Sequence, residues 1–162
     1  MFRNSGIPPA WVYSCAASLP LLMLMGCSPV PPASSAAIPP ILAGTARIWI
    51  YRNDGPYEAQ QRPYMWLNGQ IAGIVEPNGA VYRDVPPGQY TVTVDSYGVP
   101  YPNQFAEFNL GAGQEAFVKV LSMREKVGGE FGVGGRTRFF TQLFPADAAR
   151  AAISSTPFYG SR

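Results

Sequence analysis

The sequence predicts an all-β fold, a single antiparallel β-sandwich of about eight short strands. Three observations carry that expectation. Glycine and proline supply 17 residues each of 162, a composition that favours turns over long helices. Apolar and polar residues alternate with period two from Ala46 onward. Turn signals then punctuate the chain at intervals of roughly 8–12 residues, the spacing of two packed antiparallel sheets.

The first predicted strand contains Ala46, Ile48 and Ile50 alternating with Arg47, Trp49 and Tyr51, so one face is expected to be buried and the other wet. Asn68-Gly69, between Tyr64–Leu67 and Gln70–Val75, is a strong signal for a two-residue hairpin. Pro86-Pro87-Gly88 turns the chain between Ala80–Val85 and a strand from Gln89, where Tyr90, Val92 and Val94 alternate with Thr91, Thr93 and Asp95. Gly111-Ala112-Gly113 separates Gln104–Leu110 from Glu115–Met123. The glycine-rich run from Gly128 to Gly135 is expected to form a mobile hairpin loop, and Thr137–Phe144 to close the domain. Pro145–Ile153 is expected to give one or two helical turns, and Ser154–Arg162 a frayed end.

Composition excludes several functions. Lys and Arg total 12 against 10 Asp and Glu, a formal charge of +2, which gives no electrostatic basis for nucleic-acid binding. Only 14% of residues are charged and 47% are hydrophobic, so the chain is not a disordered tail. It contains no histidine, which removes the commonest general base and the commonest zinc ligand together. No metal site and no cofactor are expected.

Residues 1–26 read as an export signal: Arg3, then an apolar run from Ala10 to Met25. That run is short of the roughly 20 residues a spanning helix needs. It ends in Leu24-Met25-Gly26-Cys27, which resembles the bacterial lipobox. The resemblance implies diacylglyceryl transfer to the Cys27 sulfur, cleavage between Gly26 and Cys27, and acylation of the new amino terminus. Cys15 lies in the removed segment, so the mature chain would keep no free thiol. Residues 27–43 comprise the lipidated cysteine and a tether, since Ser28–Ala43 holds five prolines among serines and alanines. Similarity to enterobacterial-type lipoproteins at Ser28 implies the periplasmic face of the outer membrane. The folded domain is expected over 44–144, followed by a short helical or disordered tail over 145–162.

The stretches Trp66–Gly73 and Gly79–Val94 resemble the PEGA-type β-sandwich and its lipoprotein relatives of unknown function. Those relatives share an opening Ala-Arg-Ile-Trp-Ile-Tyr-Arg, present at 46–52, and a later Leu-x-Ala-Gly-Gln, present at 110–114. The resemblance spans most of 45–125. It implies an immunoglobulin-like sandwich and supplies no catalytic residues.

Tests for catalytic chemistry point away from an enzyme. Lys119 and Ser122 share a predicted strand but stand three positions apart, on opposite faces. Gly128–Thr137 has Glu130 where a phosphate loop needs glycine and Arg136 where it needs lysine. The ten acidic residues are scattered singly, and a glycan-active enzyme using two of them is the alternative. Two candidate binding surfaces remain. One is an aromatic face of Trp49, Tyr51, Tyr64 and Trp66; the other is a basic rim of Arg124, Lys126, Arg136 and Arg138. A loop, the tail or a second sheet covering the aromatic face would make it ordinary core. The expected function is a lipid-anchored envelope protein acting as a non-catalytic interaction module. Its partner is expected to be another envelope protein or peptidoglycan, and a purely structural lipoprotein is the other alternative.

Overall fold

The structure, a computed structural model, describes residues 38–53, 61–95, 104–129 and 132–161. The signal segment, Gly26 and Cys27, and the tether up to residue 37 lie outside the described residues. Among the described residues nine strands and one helix follow in order. They are β1 (Ala46–Arg52), β2 (Tyr64–Leu67), β3 (Gln70–Ile74), β4 (Gly79–Val85), β5 (Gly88–Val94), β6 (Ala106–Leu110), β7 (Glu115–Gly129), β8 (Gly132–Leu143), α1 (Ala146–Ser154) and β9 (Phe158–Ser161). A five-stranded sheet has the order β8-β7-β1-β4-β9, and a four-stranded sheet the order β3-β2-β5-β6.

The described residues are all-β apart from one short helix, as the alternation predicts. The expectation of purely antiparallel pairing is corrected. β1 lies antiparallel to β4 but parallel to β7, and β9 joins the far edge parallel to β4, so the five-stranded sheet is mixed. The reason lies in the connections: β2 and β3, then β5 and β6, belong to the other sheet, so the chain leaves and re-enters the first sheet between β1, β4 and β7.

Both sheets contribute to one apolar cluster. Ile48, Ile50, Val81 and Val118 come from the larger sheet, and Met65, Val92 and Ala106 from the smaller. Each fully buried side chain of this size contributes roughly 1.5–3 kcal/mol of transfer free energy. Thr141 of β8 pins the sheets together. Its buried hydroxyl donates to the Val92 carbonyl at 2.6 Å and accepts from the Ala106 amide at 3.0 Å. Tyr90 locks the Pro86-Pro87 corner by donating its hydroxyl to the Pro86 carbonyl at 2.5 Å. That corner carries the chain from β4 in one sheet to β5 in the other. At the β2–β3 turn Asn68 and Gly69 both have positive φ, as the Asn-Gly signal requires. The Asn68 side chain also accepts from the Thr91 amide at 2.8 Å, which ties the hairpin to β5.

Three local expectations are corrected. β1 has no wet face, because all seven of its residues are buried. Pairing continues through the glycine run as far as Gly129 opposite Gly132, so strand stands where a mobile loop is expected. The tail after Ser154 is not frayed over its described part, since Phe158–Ser161 form β9. The first and third corrections share a cause. Alanine-rich α1 lays Ala149 fully buried against the outer side of the larger sheet, and Phe158 of β9 packs beside it. Small side chains let the helix approach closely, and Asp147 in its first turn suits the positive end of the helix dipole. Tyr159 reaches the main core from the same strand, over Gly79, where an added Cβ would lie 2.8 Å from the tyrosine ring. Position 79 is therefore reserved for glycine by space.

Candidate functional site

The structure divides the four predicted aromatic residues between two sheets. Trp49 and Tyr51 stand on the outer face of the larger sheet, 5% and 1% exposed. The Trp49 ring lies 5.2 Å from Tyr82 and 6.2 Å from Phe158 between centroids, with Ala149 of α1 in the same cluster. Burial pushes the Tyr51 phenol above its ordinary pKa of 10.0. The single aromatic face is thus corrected: the carboxy-terminal helix and strand cover half of it.

Tyr64 and Trp66 occupy β2, on the outer face of the four-stranded sheet. Alternation places Met65 in the core and turns its neighbours outward. Register sets Trp66 between Ile71 of β3 and Thr93 of β5, while Tyr64 pairs with Ile74. Tyr64 is 47% and Ile71 57% exposed, and Trp66 is half-buried. Phe105, one position before buried Ala106 at the start of β6, is also exposed. The Trp66 indole N–H donates to Asp95 Oδ1 at 2.6 Å, which fixes the ring by its edge. Farther along, Thr91 and Glu107 stand opposite each other with their side chains 3.4 Å apart. The face therefore combines a held indole, an exposed phenol, two isoleucines and a strip of hydroxyls and carboxylates. Sequence reading singled out Tyr64 and Trp66 as aromatics near Trp49 and Tyr51, but neither the isoleucines nor the Asp95 tie carried a signal.

Two of the predicted basic residues, Arg124 and Arg138, fall on one hairpin but on opposite faces of it. Arg138 stands opposite Met123 and Arg124 opposite Thr137, adjacent positions that alternate between the faces of the ribbon. Arg124 is exposed and Arg138 is buried with partners of its own. Lys126 pairs in register with Gly135 and Arg136 with Glu125, and their side chains lie outside the described residues. Arg124 and Arg138 therefore do not share one rim.

A polar cluster that sequence reasoning missed borders the buried aromatics. Glu115 receives the Trp49 indole N–H at 2.8 Å and the Arg150 guanidinium at 2.5 Å. It also lines an open groove of about 360 Å3 with Phe108, Leu110, Phe117, Leu143 and Phe144. Burial alone would raise its pKa. The hydrogen bonds from Trp49 and Arg150, with the charges of Arg150 and Arg47, outweigh burial and hold it below the ordinary 4.5. A lowered folded pKa adds stability that is present above the ordinary value and lost as pH falls through the folded one. Glu115→Gln is accordingly expected to flatten the fall of melting temperature on acidification below pH 4.5. A variant with the wild-type slope there would show that this carboxylate contributes nothing.

Other described acids are engaged as well. Asp84 bonds Arg47 through both oxygens at 2.6 and 2.9 Å, and Glu76 bonds Arg62 at 2.7 Å. Lys119 extends over the Phe144 ring at 5.2 Å, whereas Ser122 stands opposite core Phe139, on the other face of β7. Among the described residues no group of three His, Cys, Asp or Glu side chains is placed to hold a metal ion. No protein-family model, curated protein or solved structure matches the chain.

Proposed function

We propose that this chain is a lipid-anchored bacterial envelope protein whose PEGA-like β-sandwich serves as a non-catalytic interaction module. It is acylated at Cys27 and held on the periplasmic face of the outer membrane. The sandwich reading is supported by the single core to which both sheets contribute. The anchor reading rests on Leu24-Met25-Gly26-Cys27 and the apolar run before it. The observation that carries the module reading is the outer face of the four-stranded sheet, which no described element covers. Tyr64 and Ile71 are about half exposed there, around a tryptophan whose orientation is already fixed. Exposed apolar side chains grouped on one face mark a contact surface more often than solvated strand does. The partner is another envelope protein or the peptidoglycan layer.

Two measurements test this reading. Expressed in a Gram-negative host, the full chain is expected to incorporate labelled palmitate. Cys27→Ser is expected to abolish that label and leave the precursor uncleaved. A processed wild-type protein without acyl chains would overturn the anchor. Crosslinked envelopes should retain the wild-type chain, and Ile71→Asp should reduce retention without changing the melting temperature. Equal retention of both would overturn the assignment of the contact face.

A further inference from the structure

We infer that the outer face of the four-stranded sheet binds a neutral glycan strand, whose pyranose rings stack on Trp66 and Tyr64 while its hydroxyl and amide donors meet Asp95, Thr93 and Glu107. This inference rests on the interaction-module reading and names the ligand class of the same face.

The argument starts from spacing. Trp66 and Tyr64 are two residues apart on one strand face, so their Cα atoms lie about 7 Å apart along β2. Neighbouring strands are about 4.8 Å away. On one side they bring Ile71 and Ile74, and on the other Thr93 and Asp95. Two aromatic side chains thus stand along the sheet between an aliphatic border and a polar one. A pyranose ring has the matching division, with a C–H face that packs on an aromatic ring and a rim of hydroxyl groups that needs hydrogen-bond partners.

Pre-organisation strengthens the match. Asp95 holds the indole edge, and the Asp95 amide itself donates to the Tyr64 carbonyl at 2.9 Å. The carboxylate is therefore placed by the backbone of the strand that carries both aromatics. A ring already held loses little freedom when a ligand arrives. An ionised carboxylate only accepts hydrogen bonds and has several acceptor sites, so Asp95 retains capacity after receiving the indole N–H. The ligand must then supply donors, which sugar hydroxyl and acetamido groups do.

Charge decides among the other occupants. Among the described residues the outward positions of β2, β3, β5 and β6 carry no Lys or Arg. Glu107 stands on β6 and Asp95 directly after β5, and the nearby Arg62, two residues before Tyr64, is paired with Glu76. Anionic polymers and anionic lipid surfaces would meet repulsion. A second copy of the face would set the same two acids against each other. An apolar protein partner would have to bury both carboxylates and the threonine hydroxyls, which is costly without donors.

The test uses the detergent-solubilised full chain and a β-1,4-linked tetramer of N-acetylglucosamine, followed by calorimetric titration, with purified sacculi as a second probe. Saturable binding is expected, indifferent to added salt. Trp66→Ala should weaken it about tenfold or more. Ile71→Asp, at an exposed position, should weaken it comparably while the melting temperature stays at the wild-type value. Binding that disappears with salt would overturn the inference, because a contact between an uncharged sugar and aromatic rings is not screened. Absence of binding to both probes, with Ile71→Asp still reducing retention on crosslinked envelopes, would overturn the glycan while leaving the module reading standing. Variants that change neither binding nor retention would overturn both.

Discussion

Alanine in place of Trp49 is expected to lower the unfolding free energy by about 3–5 kcal/mol, the range for emptying a large aromatic site. The indole is 5% exposed and contacts rings from β4 and β9. Its removal would also strip Glu115 of one hydrogen bond and leave that carboxylate to Arg150 alone. Trp66→Ala should cost clearly less, because its ring is only half-buried and borders solvent. Urea unfolding of both variants under one buffer condition makes the comparison. If Trp49→Ala proves the milder of the two, α1 and β9 do not seal the outer side of the larger sheet.

Asp84→Ala is expected to destabilise by about 3 kcal/mol, the lower end for breaking a buried ion pair, because Asp84 keeps some solvent contact. Arg47 is 3% exposed, lies 4.0 Å over the Tyr82 ring, and donates its remaining fork to the Pro39 carbonyl at 2.8 Å. Its bond to Asp84, acting against burial, holds its pKa above the ordinary value. Without Asp84 the guanidinium stays charged and loses its two strongest acceptors. The double variant Arg47→Met, Asp84→Val should recover most of the loss, since an apolar pair close in size leaves no unpaired buried charge. A single variant as stable as wild type in urea would show that solvent already satisfies this arginine.

Much of the fold was legible because its signals are local. Asn68-Gly69 specifies a turn through its own backbone preferences, and Pro86-Pro87-Gly88 a corner. Alternation likewise placed Ile48 and Ile50 in the core. What alternation reports is that two faces of a strand differ, not what lies against either. Trp49 and Trp66 therefore look alike in sequence, each set between core residues, although one is sealed and the other lies on an open face. The cover over Trp49 is encoded about a hundred residues later, in Ala146–Ser154 and Phe158–Ser161. The four residues of β9 are too few to show a period, even though Phe158 and Tyr159 pack into different clusters. The site was half legible for the same reason. The aromatic residues stand out in the sequence by type and proximity, whereas Ile71, Thr93 and Asp95 join them only through strand register.

The parallel pairing of β4 with β9 also sets a timetable. It joins residues 80 and 158, and the β1–β7 pairing joins residues 47 and 115. Contacts between such distant segments must meet the entropy of closing long loops before any bond rewards it, and topologies dominated by them fold in roughly milliseconds to seconds. The β2–β3 hairpin can form as soon as its two strands exist. The larger sheet cannot gain its outer edge, nor the aromatic cluster its lid, before Phe158 is available. In a chain emerging vectorially during synthesis, the outer aromatic cluster therefore stays open until β9 has emerged.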